Sequence, residues 1–267
     1  PFSKLNVDTV DTTRTRKLMD LLVKRGRYVM MVGTAGTGKT AQISEYLKTL
    51  DKDADSLLSV NVVMSYFTDS FQLQGEMELS IDKRAGRMFG PPATKKLIYF
   101  IDDLNLPYIE TYGTQNAIAL ITQLMQHGTI FDRADLGFRK EIVDTQYMTA
   151  MNPTAGSFEV CERCQRHFCT FSASMPGTED LKLIYGQIFA GHLLGWPAAL
   201  VETGEKIVDA AISLCQAVGA RFLPSAVKFT YNWNMRELTN IFQGMTLSSQ
   251  NDYTNPLLLL RLFVHEA

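Results

Sequence analysis

Apolar residues fall in short runs between polar turns, and the spacing within those runs predicts the elements. Tyr28–Val32 is a short apolar run that stops at Gly33, as a buried strand entering a turn does. From Lys39 onward, Ile43, Tyr46, Leu47 and Leu50 recur at helical spacing. Further apolar runs at 59–64, 97–101, 146–151 and 167–172 bring the predicted strands to five. Ala117, Ile118, Leu120, Ile121, Leu124 and Met125 line one face of a helix that Gly128 can end as a left-handed cap. Strands alternating with helices predict an α/β fold, a five-stranded parallel sheet flanked by helices.

Past Pro176 and Gly177 the pattern changes. Leu181, Ile184, Tyr185 and Ile188, then 207–218, then 238–242 show helical periods with no convincing strand. The expected division is therefore an α/β subdomain over 1–176 and a small α-helical subdomain over 177–267. Residues 71–96, punctuated by KRAG, GPP and KK, and 132–144, with alternating charge and little core material, read as insertions or surface hairpins.

Composition narrows the classes. A chain of 267 residues, 46% hydrophobic, can build one large domain or two. Lys plus Arg total 26 against 28 Asp plus Glu, so the net charge of -2 lacks the basic excess of a nucleic-acid binder. The longest apolar stretch, 257–264, is interrupted by Arg261 and falls short of the ~20 residues that cross a bilayer, so no membrane partner is expected. Four unevenly spaced cysteines and no signal-peptide pattern point to a reducing, intracellular compartment. A first residue that is not Met and a helical end without a stop signal fit a segment of a longer polypeptide.

The string GTAGTGKT holds Gly33, Thr34, Ala35, Gly36, Thr37, Gly38, Lys39 and Thr40. It fits GxxxxGK(S/T) and sits between a predicted strand and a predicted helix, where a phosphate loop belongs. Glycines let the backbone wrap with its amides inward, and the helix N-terminus adds positive potential. Lys39 would reach the β and γ phosphates, and Thr40 would ligate Mg²⁺. The run at 97–101 then delivers Asp102 and Asp103 to the sheet's carboxyl edge, where ligands of open α/β sheets bind. Asp102 would hold the Mg²⁺ shell and Asp103 would orient the attacking water. Many such sites place Glu there. Asp is one methylene shorter, and a misplacement of ~1 Å can cost ~100-fold in rate.

Asn152 follows a strand and precedes Pro153, which holds it extended, so its amide can orient the water or the γ-phosphate. Local sequence fits a plain Asn-Pro turn equally well. In NMRE, Asn234 caps a helix and Glu237 supplies the capping-box partner. Arg236, at the second helical position, opposes the helix dipole, a mismatch that a bound γ-phosphate would offset. Arg166, before the last strand, suits an arginine finger for a neighbouring module's nucleotide, and Arg163 competes for that role. Cys161, Cys164, His167 and Cys169 are nominally enough ligands for zinc, but the spacing leaves little loop to wrap a tetrahedral ion.

These features, in this order, resemble the AAA+ ATPase module over the whole chain. KRAGRMFGPP, FIDDLNLP, YGTQNAIALITQLMQHG, MNPTAGSF, QRHFCTF, MRELTNIFQG and LFVHE are similar to the third AAA+ module of dynein heavy chains. The Asp102–Asp103 pair and MNPTAGSF resemble the axonemal type more than the cytoplasmic one, which has Glu where Asp103 stands. The resemblance implies one of six linked modules in a motor ring and a regulatory ATP/ADP site with Mg²⁺. It implies Asn152 as sensor I, Arg236 as sensor II, and Arg166 serving the preceding module in trans. Thr9, Val10, Asp11 and Thr12 would lie beside the adenine. Segments 71–92 and 132–144 would be the hairpin inserts that touch the linker and neighbouring modules. The implied location is the cytoplasm and cytoskeleton, in a ciliary or flagellar axoneme. No stalk is present, so microtubules are met only through the full-length motor.

The leading expectation is an ATPase module gating an axonemal motor. A second is a structural module that holds nucleotide permanently without turnover. A third, remodelling of nucleic acid or polypeptide, is disfavoured by the charge balance.

Overall fold

The computed structural model describes residues 5–53, 57–93, 95–153, 159–228, 230–231 and 233–267. Residue contacts divide the chain into two units, Arg14–Ser174 and Met175–Ala267, the latter joined by the start of the chain up to Thr13.

The first unit takes in α1 (Val10–Val23) from Arg14 onward, then β1 (Tyr28–Val32), α2 (Lys39–Asp53), β2 (Leu57–Val63) and α3 (Ser70–Glu78). It continues through β3 (Asp82–Ala85), β4 (Met88–Gly90), β5 (Lys96–Asp102), α4 (Asn116–His127), β6 (Thr129–Phe131) and β7 (Arg139–Ile142). It closes with β8 (Thr145–Met151), α5 (Glu162–Gln165) and β9 (Phe168–Ser172). The five apolar runs become a sheet in the order β2-β5-β8-β1-β9, every neighbouring pair parallel. Parallel strands need crossovers, and these put helices on both faces. On β5, Leu97, Tyr99 and Ile101 join one apolar cluster with Leu73 and Met77 of α3 and Ile118, Ile121 and Leu124 of α4. Ile98 and Phe100 turn the other way, to Met19 of α1 and Ile43 and Tyr46 of α2. That two-residue alternation inside a continuous apolar run is how one strand serves two cores.

Gly128 ends α4 with φ 62 and its N–H bonded to Leu124 O, as the sequence predicts. The inserts differ from expectation. Beyond the five predicted strands, β3 and β4 form an antiparallel hairpin and β6 and β7 another, and β4 runs parallel to β7. The two segments, read as insertions or surface hairpins, therefore join with β6, which precedes the second of them, in one second sheet, in the order β3-β4-β7-β6. The stretch judged poor in core material buries Lys140 and Ile142. Lys140 can go inside because Glu78 at 3.0 Å and Asp132 at 2.9 Å meet its ammonium. Helix α3 occupies the start of the other segment, 71–96. Asp69 caps it through Gln72 N–H at 2.7 Å, and Tyr99 Oη donates to Met77 O at 2.7 Å.

The second unit contains α6 (Thr178–His192), α7 (Ala198–Arg221), α8 (Met235–Met245) and α9 (Pro256–Glu266). Leu181, Tyr185 and Phe189, spaced four apart on α6, pack with Ile207 and Ile212 of α7, Leu238 and Phe242 of α8 and Leu259 of α9. No strand is assigned among its described residues. No helix among the described residues is long and apolar enough to cross a membrane.

Candidate phosphate-binding site

Because β1, β5 and β8 run parallel, their C-terminal ends share one edge of the sheet. The loop after β1 is fixed at its root, where Gly33 N–H donates to Met151 O at 3.2 Å. A Cβ on Gly33 would stand 2.2 Å from Ala173 O, so only glycine allows this approach. Gly36 and Gly38 take left-handed φ values of 77 and 79, curling the backbone over the start of α2. Lys39 is buried, and its Nζ donates to Gly33 O at 2.9 Å and Thr34 O at 2.7 Å. Thr37 Oγ1 donates to Thr34 O at 3.0 Å. A cation, a helix N-terminus and a curled glycine backbone thus share one concavity, the chemistry of a phosphate cradle.

Thr40, next along α2, donates from Oγ1 to Asp102 Oδ2 at 2.9 Å, with Oδ1 at 3.2 Å. A hydroxyl and a carboxylate converging from two elements are hard oxygen donors of the kind Mg²⁺ takes beside phosphate and water. The donor set fits that ion. Burial pushes the Asp102 carboxyl above its ordinary value, and repulsion from Asp103 adds to this, against the Thr40 hydrogen bond, the Asp103 amide and Lys39. A cation would relieve that desolvated charge.

Asp103 adopts φ 54, a left-handed conformation that Asp and Asn enter more readily than most residues. The ladder explains why. Continuing the register Ile101↔Thr149 would aim the Asp103 amide at Ala150 O, yet the donor is Leu104, at 3.1 Å. Asp103 is one residue extra, a bulge of the kind that re-aims a side chain at a strand end. Its N–H donates to Asp102 Oδ1 at 3.1 Å, and its carbonyl accepts from Leu106 N–H at 3.0 Å.

Asn152 follows β8 at the same edge, so the phosphate loop, both aspartates and Asn152 are brought together by topology. Of MNPTAGSF, residues 154–158 lie outside the described residues. Sequence reasoning missed Asn105, which is 2% exposed and donates from Nδ2 to Asn152 O at 2.7 Å. Its only signal was its place in the turn FIDDLNLP.

Arg166 caps the C-terminal end of α5 just before β9, at the sheet edge opposite the phosphate loop; Arg163 lies on α5, and both are exposed. The His167 imidazole is pulled below its ordinary value by burial and by the Arg166 charge beside it. Cys164 sits in the core, its thiol pushed up to about 11 by burial, while Cys161 is exposed.

Val10 and Arg236 belong to the other unit. Val10 is the first residue of α1, and Thr9 and Thr12 cap that end reciprocally: Thr12 N–H to Thr9 Oγ1 at 3.3 Å, Thr9 N–H to Thr12 Oγ1 at 2.8 Å. Arg236 is the second residue of α8, its N–H held by Asn234 Oδ1 at 2.8 Å, the cap the sequence predicts.

A family model described as the P-loop containing dynein motor region matches residues 1–176, and one described as the AAA+ lid domain matches 207–267. The chain is 44% identical over 268 aligned residues to "Dynein beta chain, ciliary" of Heliocidaris crassispina. It is 45% identical over 269 to "Dynein axonemal heavy chain 17" of Mus musculus. Against "Dynein beta chain, flagellar outer arm" of Chlamydomonas reinhardtii it is 39% identical over 265. These alignments cover 100%, 100% and 99% of the chain, which spans about 6% of each relative's length.

Proposed function

The chain belongs to the dynein motor family of P-loop AAA+ proteins, and from that membership we propose that it is a Mg-nucleotide-binding ATPase module of an axonemal dynein heavy chain. The observation that carries the reading is the convergence of Lys39, Thr40 and Asp102 on one edge of the sheet, with Thr40 Oγ1 2.9 Å from Asp102 Oδ2. Residues 33–40 wrap the phosphates. Thr40 and Asp102 would hold Mg²⁺, which would neutralise phosphate charge. Asp103 accepts the proton of the attacking water as its oxygen adds to the γ-phosphorus and the electron pair of the breaking bond leaves on ADP. Asn152 orients that water or the γ-phosphate.

The remaining roles rest on the family's pattern: Arg236 as sensor II, Val10 beside the adenine, and Arg166 reaching the preceding module's nucleotide from the opposite edge of the sheet. The strings at 83–92, 100–107 and 112–128 support the third of six linked modules, a site that regulates the motor cycle. Its partners are then neighbouring modules and the linker of the same heavy chain, with microtubules reached through the full-length motor. Relatives named ciliary, axonemal and flagellar support a place in the axoneme, within the cytoskeleton.

Calorimetric titration with Mg·ADP and Mg·ATP tests the reading. Saturable binding is expected, weakened about 10- to 100-fold in Lys39→Ala, the range of a charge-assisted hydrogen bond. Heat that does not saturate, or a Lys39→Ala chain that binds like wild type, overturns it.

A further inference from the structure

The turn after β5 and the end of β8 are joined by more than the strand ladder. Leu104 N–H reaches Ala150 O at 3.1 Å, and Leu106 N–H closes the turn on Asp103 O at 3.0 Å. Inside that turn Asn105, 2% exposed, sends its side-chain amide 2.7 Å to Asn152 O. A buried amide on a main-chain carbonyl is an anchor with little slack. Its partner is neither a neighbour in sequence nor a ladder residue, but the backbone of the residue read here as the γ-phosphate sensor.

We propose that Asn105 is a positioning residue that locks the loop bearing Asp103 to the loop bearing Asn152, so that water orientation and γ-phosphate recognition are set as one unit. The inference rests on the reading of this edge as a Mg-nucleotide site. Three features carry it. The bond fixes the backbone at residue 152, and so constrains where that side chain starts. It originates two residues from Asp103, in a turn whose closing acceptor is the Asp103 carbonyl. And Asp103, an unpaired extra residue in a left-handed conformation, is held by that turn and by the Asp102 carboxylate rather than by the ladder. A site in which ~1 Å of displacement costs ~100-fold gains from such a tie between the two loops that carry its polar groups.

A purely structural Asn105 would affect every nucleotide alike; a positioning residue acts on the γ-phosphate alone. Affinities for Mg·ADP and for a non-hydrolysable Mg·ATP analogue are therefore compared in the 267-residue chain, for wild type, Asn152→Ala, Asn105→Ala and Asn105→Asp. The aspartate variant keeps the shape and loses the donor, and it supplies a second test if the alanine variant folds poorly. Both Asn105 variants are expected to shift the preference between the two nucleotides about 5- to 10-fold, in the direction of Asn152→Ala, with Mg·ADP affinity within about twofold of wild type. The double variant Asn105→Ala/Asn152→Ala is expected to go no further than Asn152→Ala alone, as coupled residues do. If Asn152→Ala shifts the preference and neither Asn105 variant does, the lock is overturned and the site reading stands. If Asn152→Ala shifts nothing, the sensor role falls and the lock with it. If wild type binds neither nucleotide, the site reading itself is overturned.

Discussion

Thr40 Oγ1 on α2 and Asp102 Oδ2 at the end of β5, 62 positions apart in the chain, lie 2.9 Å from each other. Their strands β1 and β5 are not neighbours; β8 runs between them. The contact therefore reports both ladders of β8, since a slip of one residue between β5 and β8 would turn Asp102 to the other face and a slip between β8 and β1 would carry Thr40 away from it.

The pair sets the first expectation. Thr40→Ala removes one hard oxygen and should reduce by about tenfold the affinity that Mg²⁺ adds to nucleotide binding, a loss of about 1.4 kcal/mol. Affinity measured in excess chelator should not change. Parallel titrations with Mg²⁺ and with chelator check this, and equal losses in both would assign Thr40 to the phosphates instead.

Asp102 carries a pH dependence of definite sign. Its folded value is raised from 3.8, chiefly by burial, so the folded state holds the proton more tightly than the unfolded chain. Its contribution to stability is most favourable below 3.8 and declines as pH rises through the raised folded value. Asp102→Asn should then melt above wild type near neutral pH without Mg²⁺, the advantage shrinking as pH falls toward 3.8. Thermal melts across that range test it; an advantage that grows on acidification contradicts it.

At Asp103 conformation and chemistry separate. Asn tolerates a left-handed backbone, so Asp103→Asn should fold as wild type and bind nucleotide within about twofold, while turnover falls about 100-fold or more. Asp103→Val, β-branched at φ 54, should lose about 1–3 kcal/mol of stability. In the full-length motor, Asp103→Asn should slow beating. Unchanged beating would favour a module that holds nucleotide without turnover.

In the helical unit, Asn234→Ala deletes the cap that holds Arg236 N–H. The expected cost is about 1 kcal/mol. Amide exchange at the first turn of α8 reads it directly, and an unchanged rate at Arg236 would show the cap to be dispensable.

Much of this was legible in the chain because the informative signals were local. A glycine turn between an apolar run and a helical period marks residues 33–40, and Asp102 and Asp103 end an unbroken apolar strand. Gly128 and Asn234 are caps whose residue types follow from backbone geometry. What stayed hidden depends on contacts far along the chain. Helix α3 buries only Leu73, Gln74 and Met77, too few apolar positions to show a period, and it is held by a cap and by Tyr99 from β5. Lys140 reads as surface until Glu78 and Asp132 arrive from elsewhere. The bulge at Asp103 and the bond from Asn105 exist only once β5 and β8 lie side by side, and no residue type announces them.

The ladder between β4 and β7, Met88 opposite Glu141 and Phe89 opposite Ile142, makes the two inserts mechanically indivisible. Anyone trimming this module to a minimal scaffold, or grafting one insert onto a relative, would leave a raw strand edge open to stray pairing, so the two must be cut or transplanted together. Lys140 on β7 also pairs with Glu78 of α3, whose Met77 carbonyl accepts from Tyr99 of β5, so the second sheet is tied to the central one by polar contacts as well as by packing.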